Sequence, residues 1–280
     1  MNRSIMVVGA HADDIELNTG GTLAKYREQG YEVIYVMSTN NMSGGVHELL
    51  SDGSVRGTPE TTVPMMARRK RECDDAARAL GTTPIHLDHP QRHYYGGPGN
   101  KNAEVRYGCT LPAGVAENVP TILTAYEDTA SVKRLADLIV ANNPECVLTH
   151  GVSQMNIEHY ATSMLTTMSY WQAVEQGVRG SLLHWREAHT RLGEFNCRWD
   201  TFIDCTRYLD RKMELIGLHR CQMPKAHLPD SGHRLLSVNW GGACGCGAAE
   251  VFTWVRHADY RDDQGLNHPP LTLELIQNSK

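Results

Sequence analysis

The sequence has no apolar run long enough to cross a bilayer, no dense block of one charge sign and no cysteine spacing of a disulfide framework. Each absence removes a class of protein. The apolar run after the first residues spans only positions 4–9, too short for a signal-peptide core and far too short for a membrane span. That predicts a cytoplasmic protein with no membrane partner. The formal charge is −5, and the densest basic stretch is Arg68-Arg69-Lys70-Arg71. A nucleic-acid surface needs a broader positive footprint, so no nucleic-acid partner is expected. Cysteines stand at 73, 109, 146, 197, 205, 221, 244 and 246. Only Cys244-Gly-Cys246 is a close pair, and it lacks the second pair of a structural zinc site. A chain of 280 residues needs no disulfides to hold a core, so reduced thiols are expected. With 41% apolar and 21% charged residues, a mainly disordered chain is excluded.

What is present is alternation. Residues 4–9 and 32–37 are continuous apolar runs, the signature of strands buried on both faces. Between them a helical stretch, 19–29, stops at Gly30, the usual place for a helix C-cap. This βαβ unit starts a parallel sheet. A helical stretch from about 64 to 80 leads to Pro84-Ile85-His86-Leu87, and a run opening at Ser131 leads to Cys146-Val147-Leu148. Further helices are predicted over about 159–176 and 208–222. The fold class that follows is α/β: a three-layer sandwich on a mostly parallel, doubly wound, Rossmann-like sheet. One domain over 1–280 is expected, with long loops inserted at about 40–62 and 89–128. Loops of that length are binding surfaces, lids or contacts between copies in a homo-oligomer.

Immediately after the first strand stands Ala10-His11-Ala12-Asp13-Asp14-Ile15-Glu16. The carboxyl end of a strand is where open α/β sheets bind ligands. In a turn, His11 and Asp14 at i and i+3 converge while Asp13 projects to the side. Two ligands and one free carboxylate are what a hydrolytic metal site requires. A third ligand is expected from the loop after Leu148, where both His150 and His159 stand. Taken singly, an Asp-Asp pair is an ordinary helix cap and a lone His an ordinary loop residue; their coincidence at two strand ends is the signal.

These residues resemble the PIG-L/LmbE family of zinc-dependent N-deacetylases through most of the chain. The family's A-H-P-D-D-E is read here as A-H-A-D-D-I-E, and Gly20-Gly21-Thr22-Leu23-Ala24-Lys25 resembles its G-G-T-[IL]-A-K. The resemblance implies Zn2+ bound by His11, Asp14 and His159, with Asp13 as general base. The family's H-P-D-H aligns with Asn156-Ile157-Glu158-His159, so Asn156 replaces the His that stabilises the oxyanion. An amide donates a hydrogen bond there but shuttles no proton. Arg69, in a stretch resembling R-x-x-E-x-x-x-A-x-x-x-L-G, is the implied substrate contact. Lys212 to Gln222 and Ala249-Glu250-x-Phe252 resemble two further landmarks, read as scaffold. His86, Asp88, His89 and His93 follow another strand, and Asp88 and His89 are candidates for the pocket wall. The implied activity is hydrolysis of an acyl group, acetyl foremost, from the nitrogen of an amino sugar or glycoconjugate.

Two rivals remain. His11-x-Asp13 with His159 also fits the facial triad of a non-haem Fe2+ oxygenase; such enzymes usually use a β jelly roll, which this alternation contradicts. A member of the family fold that binds metal and ligand without catalysis is the other.

Overall fold

A computed structural model describes residues 3–60, 62–91, 93–94, 103–104, 119–152, 156–187 and 199–256. The first apolar run forms β1 (Ser4–Gly9), buried along its whole length, and α1 (Asp14–Glu28) returns the chain to β2 (Glu32–Thr39). A hairpin, β3 (Gly45–Leu49) and β4 (Val55–Pro59), precedes α2 (Thr62–Ala79) and β5 (Ile85–His89). A short pair, β6 (His93–Tyr94) and β7 (Ala103–Glu104), comes before α3 (Ile122–Ala125) and α4 (Thr129–Asn142). β8 (Cys146–His150), α5 (Ile157–Glu175) and β9 (Ser181–Trp185) complete the parallel part. β10 (Thr201–Asp204), α6 (Leu209–Ile216), α7 (Gly232–Cys244) and β11 (Ala249–Arg256) follow.

The main sheet has the order β10-β11-β9-β8-β1-β2-β5. From β9 to β5 the pairs are parallel, and β11 and β10 add an antiparallel edge. Because strand side chains alternate, β1 feeds two cores: Ile5 and Val7 join Tyr26, Tyr35, Cys73 and Leu215 on one face, while Met6 and Val8 join Leu135, Ile139, Ala161 and Leu165 on the other. That is the expected three-layer α/β sandwich. The winding reverses between β1 and β8, and the carboxyl ends of strands at such a switch point are where open α/β sheets bind ligands.

Several boundaries differ from the sequence reading. The stretch 40–62 is not all loop, since it carries the β3–β4 hairpin, tied down by Gln222 Nε2 donating to the Gly45 carbonyl at 2.7 Å. The helix expected over 208–222 stops at Ile216, and the chain then turns so that His219 Nε2 reaches Glu16 Oε2 at 2.8 Å. Asp128, not Ser131, is the N-cap of α4; it accepts from the Ser131 backbone N–H at 2.7 Å. α7 is unexpected from the sequence because Gly232, Gly241 and Gly242 depress its helix propensity. Gly241 is there for a reason: a Cβ would lie 2.5 Å from the Ala248 nitrogen.

The landmarks read as scaffold do form one. Glu250 accepts from the backbone N–H groups of Gly21 and Thr22 at 2.9 and 2.7 Å and pairs with Lys212 Nζ at 2.8 Å. A Cβ on Gly21 would meet Cys205 Cβ at 2.8 Å, so the glycine lets α1 approach this edge. The six described cysteines, 73, 146, 205, 221, 244 and 246, form no disulfide, and Cys109 and Cys197 lie outside the described residues. Among the described residues no helix is long and apolar enough to cross a membrane.

Candidate functional site

The chain leaves β1 at Gly9 and turns tightly before α1. Thr39 at the end of β2 holds the turn by donating its hydroxyl to the Ala10 carbonyl at 2.6 Å, and Asn41 Oδ1 accepts from Ala12 N at 2.7 Å. Asp14 Oδ2 accepts from the His11 backbone N–H at 2.7 Å, closing the turn on itself. Asp13 takes the N-cap position of α1 without a capping side-chain bond, at φ 111°. A non-glycine residue is strained there. The ordinary explanation of the Asp-Asp pair as helix caps therefore does not account for Asp13.

Three ligand-type side chains converge beyond this turn. His11 Nδ1 lies 3.0 Å from His159 Nε2 and 3.3 Å from Asp14 Oδ2, and His159 Nε2 lies 3.4 Å from Asp14 Oδ1. All three residues are buried. Donors placed 2.0–2.2 Å from a tetrahedral zinc stand about 3.3–3.6 Å apart, so these edges fit a small cation after adjustment by a few tenths of an ångström. The outer ring nitrogens complete the pattern. His11 Nε2 meets Glu158 Oε2 at 2.7 Å, and His159 Nδ1 faces Glu187 Oε1 at 3.4 Å. A carboxylate behind each imidazole fixes its tautomer and turns a lone pair towards the shared centre, as metal-ligating histidines require. On donor chemistry and spacing, the residues fit a divalent metal.

Of the two histidines after β8, His150 sits differently. Its Nε2 accepts from Ala10 N at 2.9 Å, so its Nδ1 carries the proton and donates to Glu187 Oε1. Both nitrogens are committed to protein. His150, His159 and Glu187 also form a buried group with metal-ligand spacing, but that His150–Glu187 hydrogen bond, with Trp185 Nε1 donating to the same oxygen at 3.2 Å, makes it a support for His159.

The electrostatics of the cluster reflect its crowding. Burial opposes a charge on His11, yet Asp14 and Glu158 outweigh it and raise its pKa to about 10. Burial would raise Asp14, but His159 and His11 hold it well below the usual carboxylate range. Burial and the neighbouring His159 lower His150, in keeping with a neutral ring. In the metal-free protein, protons on imidazole supply the positive charge that a cation would bring.

The other predicted residues fall in two groups. Arg69 reaches the turn: its NH2 donates to the Ala12 carbonyl at 2.7 Å and lies 3.6 Å from Asp13 Oδ2, while NH1 donates to the Ser43 carbonyl at 3.2 Å. Asn156 caps α5, its Oδ1 accepting from Glu158 N at 2.9 Å. Asp88 and His89 are not joined to the cluster by any hydrogen bond or ion pair among the described residues. Asp88 is half-buried at φ 59°, and His89 Nδ1 meets the Pro120 carbonyl at 2.9 Å. His86 pairs with Asp74 at 2.9 Å, and the side chain of His93 lies outside what is described. The carboxylate brought to His11 and His159 is that of Asp14, not Asp13, so the donor set differs from the facial triad built on Asp13. Glu187 and Gln91 escaped the sequence reading. Glu187 follows β9, the next parallel strand beyond β8, and that position was the available signal; Gln91, which donates to Glu158 Oε2 at 3.1 Å, offered none.

A 1D-myo-inositol 2-acetamido-2-deoxy-alpha-D-glucopyranoside deacetylase from Kribbella flavida is 25% identical over 263 residues, covering 79% of this chain and 84% of that protein. Deacetylase 2 of that name from Saccharopolyspora erythraea is 30% identical over 148 residues; the match covers 52% of this chain and about half, 47%, of the relative's length. Among solved structures, a 4-carboxy-2-hydroxymuconate hydratase from Pseudomonas putida KT2440 superposes with TM-score 0.64 at 21% identity, covering 93% of this chain and 99% of that one. An N,N'-diacetylchitobiose deacetylase from Pyrococcus horikoshii gives TM-score 0.62 at 19% identity, covering 90% and 84%. At such identities the structures establish the shared fold. The family described as PIG-L, GlcNAc-PI de-N-acetylase, matches residues 6–170, more than half of the sequence, and the chain belongs to it.

Proposed function

We propose that this protein is a metal-dependent amidohydrolase that removes an acyl group, acetyl foremost, from the nitrogen of an amino sugar or small glycoconjugate. The observation that carries the reading is the convergence of His11 Nδ1, Asp14 and His159 Nε2 with edges of 3.0–3.4 Å beside Asp13, a carboxylate left out of that set. A divalent ion held there, Zn2+ first and Fe2+ second, would lower the pKa of water towards about 7 and polarise the amide carbonyl.

The chain's own residues do the rest. Asp13 takes the proton as water attacks and returns it to the departing amine. Arg69 steadies the Asp13 turn and faces the substrate. Asn156 Oδ1 is used by its helix, which leaves its amide N–H to donate to the developing oxyanion, a contact worth about 2.7–4 kcal/mol when well placed. Asp88 and His89 are the proposed outer wall. The reading takes 1–280 as one catalytic domain acting in the cytoplasm on a small molecule, without nucleic acid or membrane. The test is amine release by zinc-loaded protein from N-acetylglucosamine, its inositol conjugate and N,N'-diacetylchitobiose, with Asp13→Ala as control. Silence on all of them in metal-replete samples sinks it.

Asn156 also favours a second reading. With an amide at 156 where the family has an imidazole, the same site suits addition of water to an unsaturated carboxylate, the class named for the Pseudomonas neighbour. Loss of ultraviolet absorbance of a conjugated tricarboxylate, without amine release elsewhere, selects it.

A further inference from the structure

Hydrogen bonds close a ring around the site through five chain segments. From His11 Nε2 the path runs to Glu158 Oε2 (2.7 Å), from there to Gln91 Nε2 (3.1 Å), and from Gln91 Oε1 to the backbone nitrogen of Ser43 (2.9 Å). The Ser43 carbonyl then accepts from Arg69 NH1 (3.2 Å), and Arg69 NH2 returns to the Ala12 carbonyl (2.7 Å), next to His11. One half of this ring orients a proposed metal ligand, and the other holds the Asp13 turn. Gln91 is the side chain that joins them.

We infer that Gln91 is a positioning residue coupling the metal-ligand half of the site to the Arg69–Asp13 half; the assignment of those halves rests on the hydrolytic reading above. Its amide orientation follows from chemistry, because Ser43 N can only donate and the Glu158 carboxylate accepts. Gln91 is 2% exposed, so water does not replace it on either side. An amide of this length is suited to the place: leucine offers neither bond, and a carboxylate accepts from Ser43 but cannot donate to Glu158 unless protonated. Glu158 holds His11 through Nε2 and so sets where Nδ1 points, and slack in Glu158 is slack in the ligand. Ser43, gripped on both its N–H and its C=O, passes the constraint on to Arg69.

The test is a double-mutant cycle in the full chain with two readouts: zinc affinity by competition with a chromogenic chelator, and kcat/KM on the best substrate of the screen. Outer partners of ligands are worth about 10–100-fold; Gln91 lies one bond further out, and Gln91→Leu is expected to weaken zinc about 3–10-fold. Combined with Arg69→Met, the loss in kcat/KM should fall short of the product of the single losses by about fivefold, since residues in one network do not act independently. Unchanged zinc affinity, or losses that multiply within about twofold, overturns the inference. Gln91→Glu keeps the shape and carries the test should the leucine variant not fold. Its zinc affinity relative to the parent should be poor at pH 8 and recover at pH 6, as the introduced carboxyl gains a proton to donate; a pH-independent ratio counts against coupling. If the parent releases no amine while the zinc results hold, the hydrolytic reading fails and the coupling stands. If the parent releases amine while Gln91→Leu binds zinc as tightly as the parent does, the hydrolytic reading stands and the coupling fails.

Discussion

Two clusters of buried charge grip the same helix, one at its first turn and one at its middle, and they are built on opposite rules. Around Glu250, a carboxylate faces Lys212 and the backbone N–H groups of Gly21 and Thr22, so every donor meets an acceptor. At the first turn, two imidazole nitrogens and a carboxylate point at one another with 3.0–3.4 Å between them. Complementary pairing locks a fold together. Convergence of electron-pair donors is unfavourable unless a proton or a cation occupies the centre. Burial alone therefore does not distinguish a working site from a structural one; the sign of the facing atoms does.

The largest effect that could break this contrast comes from His11→Ala. It should abolish zinc binding and turnover together, by more than about 10³-fold, with far-ultraviolet circular dichroism unchanged, because the ligand set falls below the three protein ligands of a catalytic zinc. Retained tight zinc would move the centre elsewhere. Next, Asp13→Ala should keep zinc within a few-fold and lower kcat by about 10²–10⁴, the usual worth of a general base; an equal loss of metal would make Asp13 a ligand. At the other cluster, Lys212→Met strands Glu250 and should cost about 3–5 kcal/mol in urea unfolding while leaving zinc affinity per folded molecule unchanged.

The smallest effect is a pH slope. Zinc must displace a proton from His11, whose pKa is raised from 6.5 to about 10 in the metal-free protein. A raised pKa stabilises the metal-free fold fully below 6.5, and that contribution fades as pH climbs through about 10. Zinc affinity runs the other way, gaining about tenfold, or 1.4 kcal/mol, for each pH unit in that window. The zinc-induced rise in Tm should accordingly grow from pH 6.5 to 8.5 in zinc-buffered solution, and a flat increment would show that no proton is displaced.

Much of the fold was legible because strands buried on both faces, such as 4–9, leave unbroken apolar runs, and because Gly30 and Gly81, both at positive φ, end helices visibly. The hairpin at 45–59 was not, since its β3 strand is only half-buried to exposed and has no hydrophobic alternation to read. The grouping of His11, Asp14 and His159 was legible, whereas the choice of His159 over His150 rested on its place at a helix start beside Glu158 and on family likeness rather than on spacing. The geometry supplies its reason: His150 is consumed by the Ala10 N–H. Glu187 was announced only by its place after β9, and Gln91 was illegible because it acts on residues far away in sequence through a single side chain, with no local pattern to announce it.

Asp13 sits at φ 111°, where only glycine is at ease. Folding and chemistry thus make opposed demands on one position. Any search for sturdier variants of this chain that selects on stability alone will be drawn to glycine at residue 13, and under the proposed function the hardier molecules it rewards lose their base.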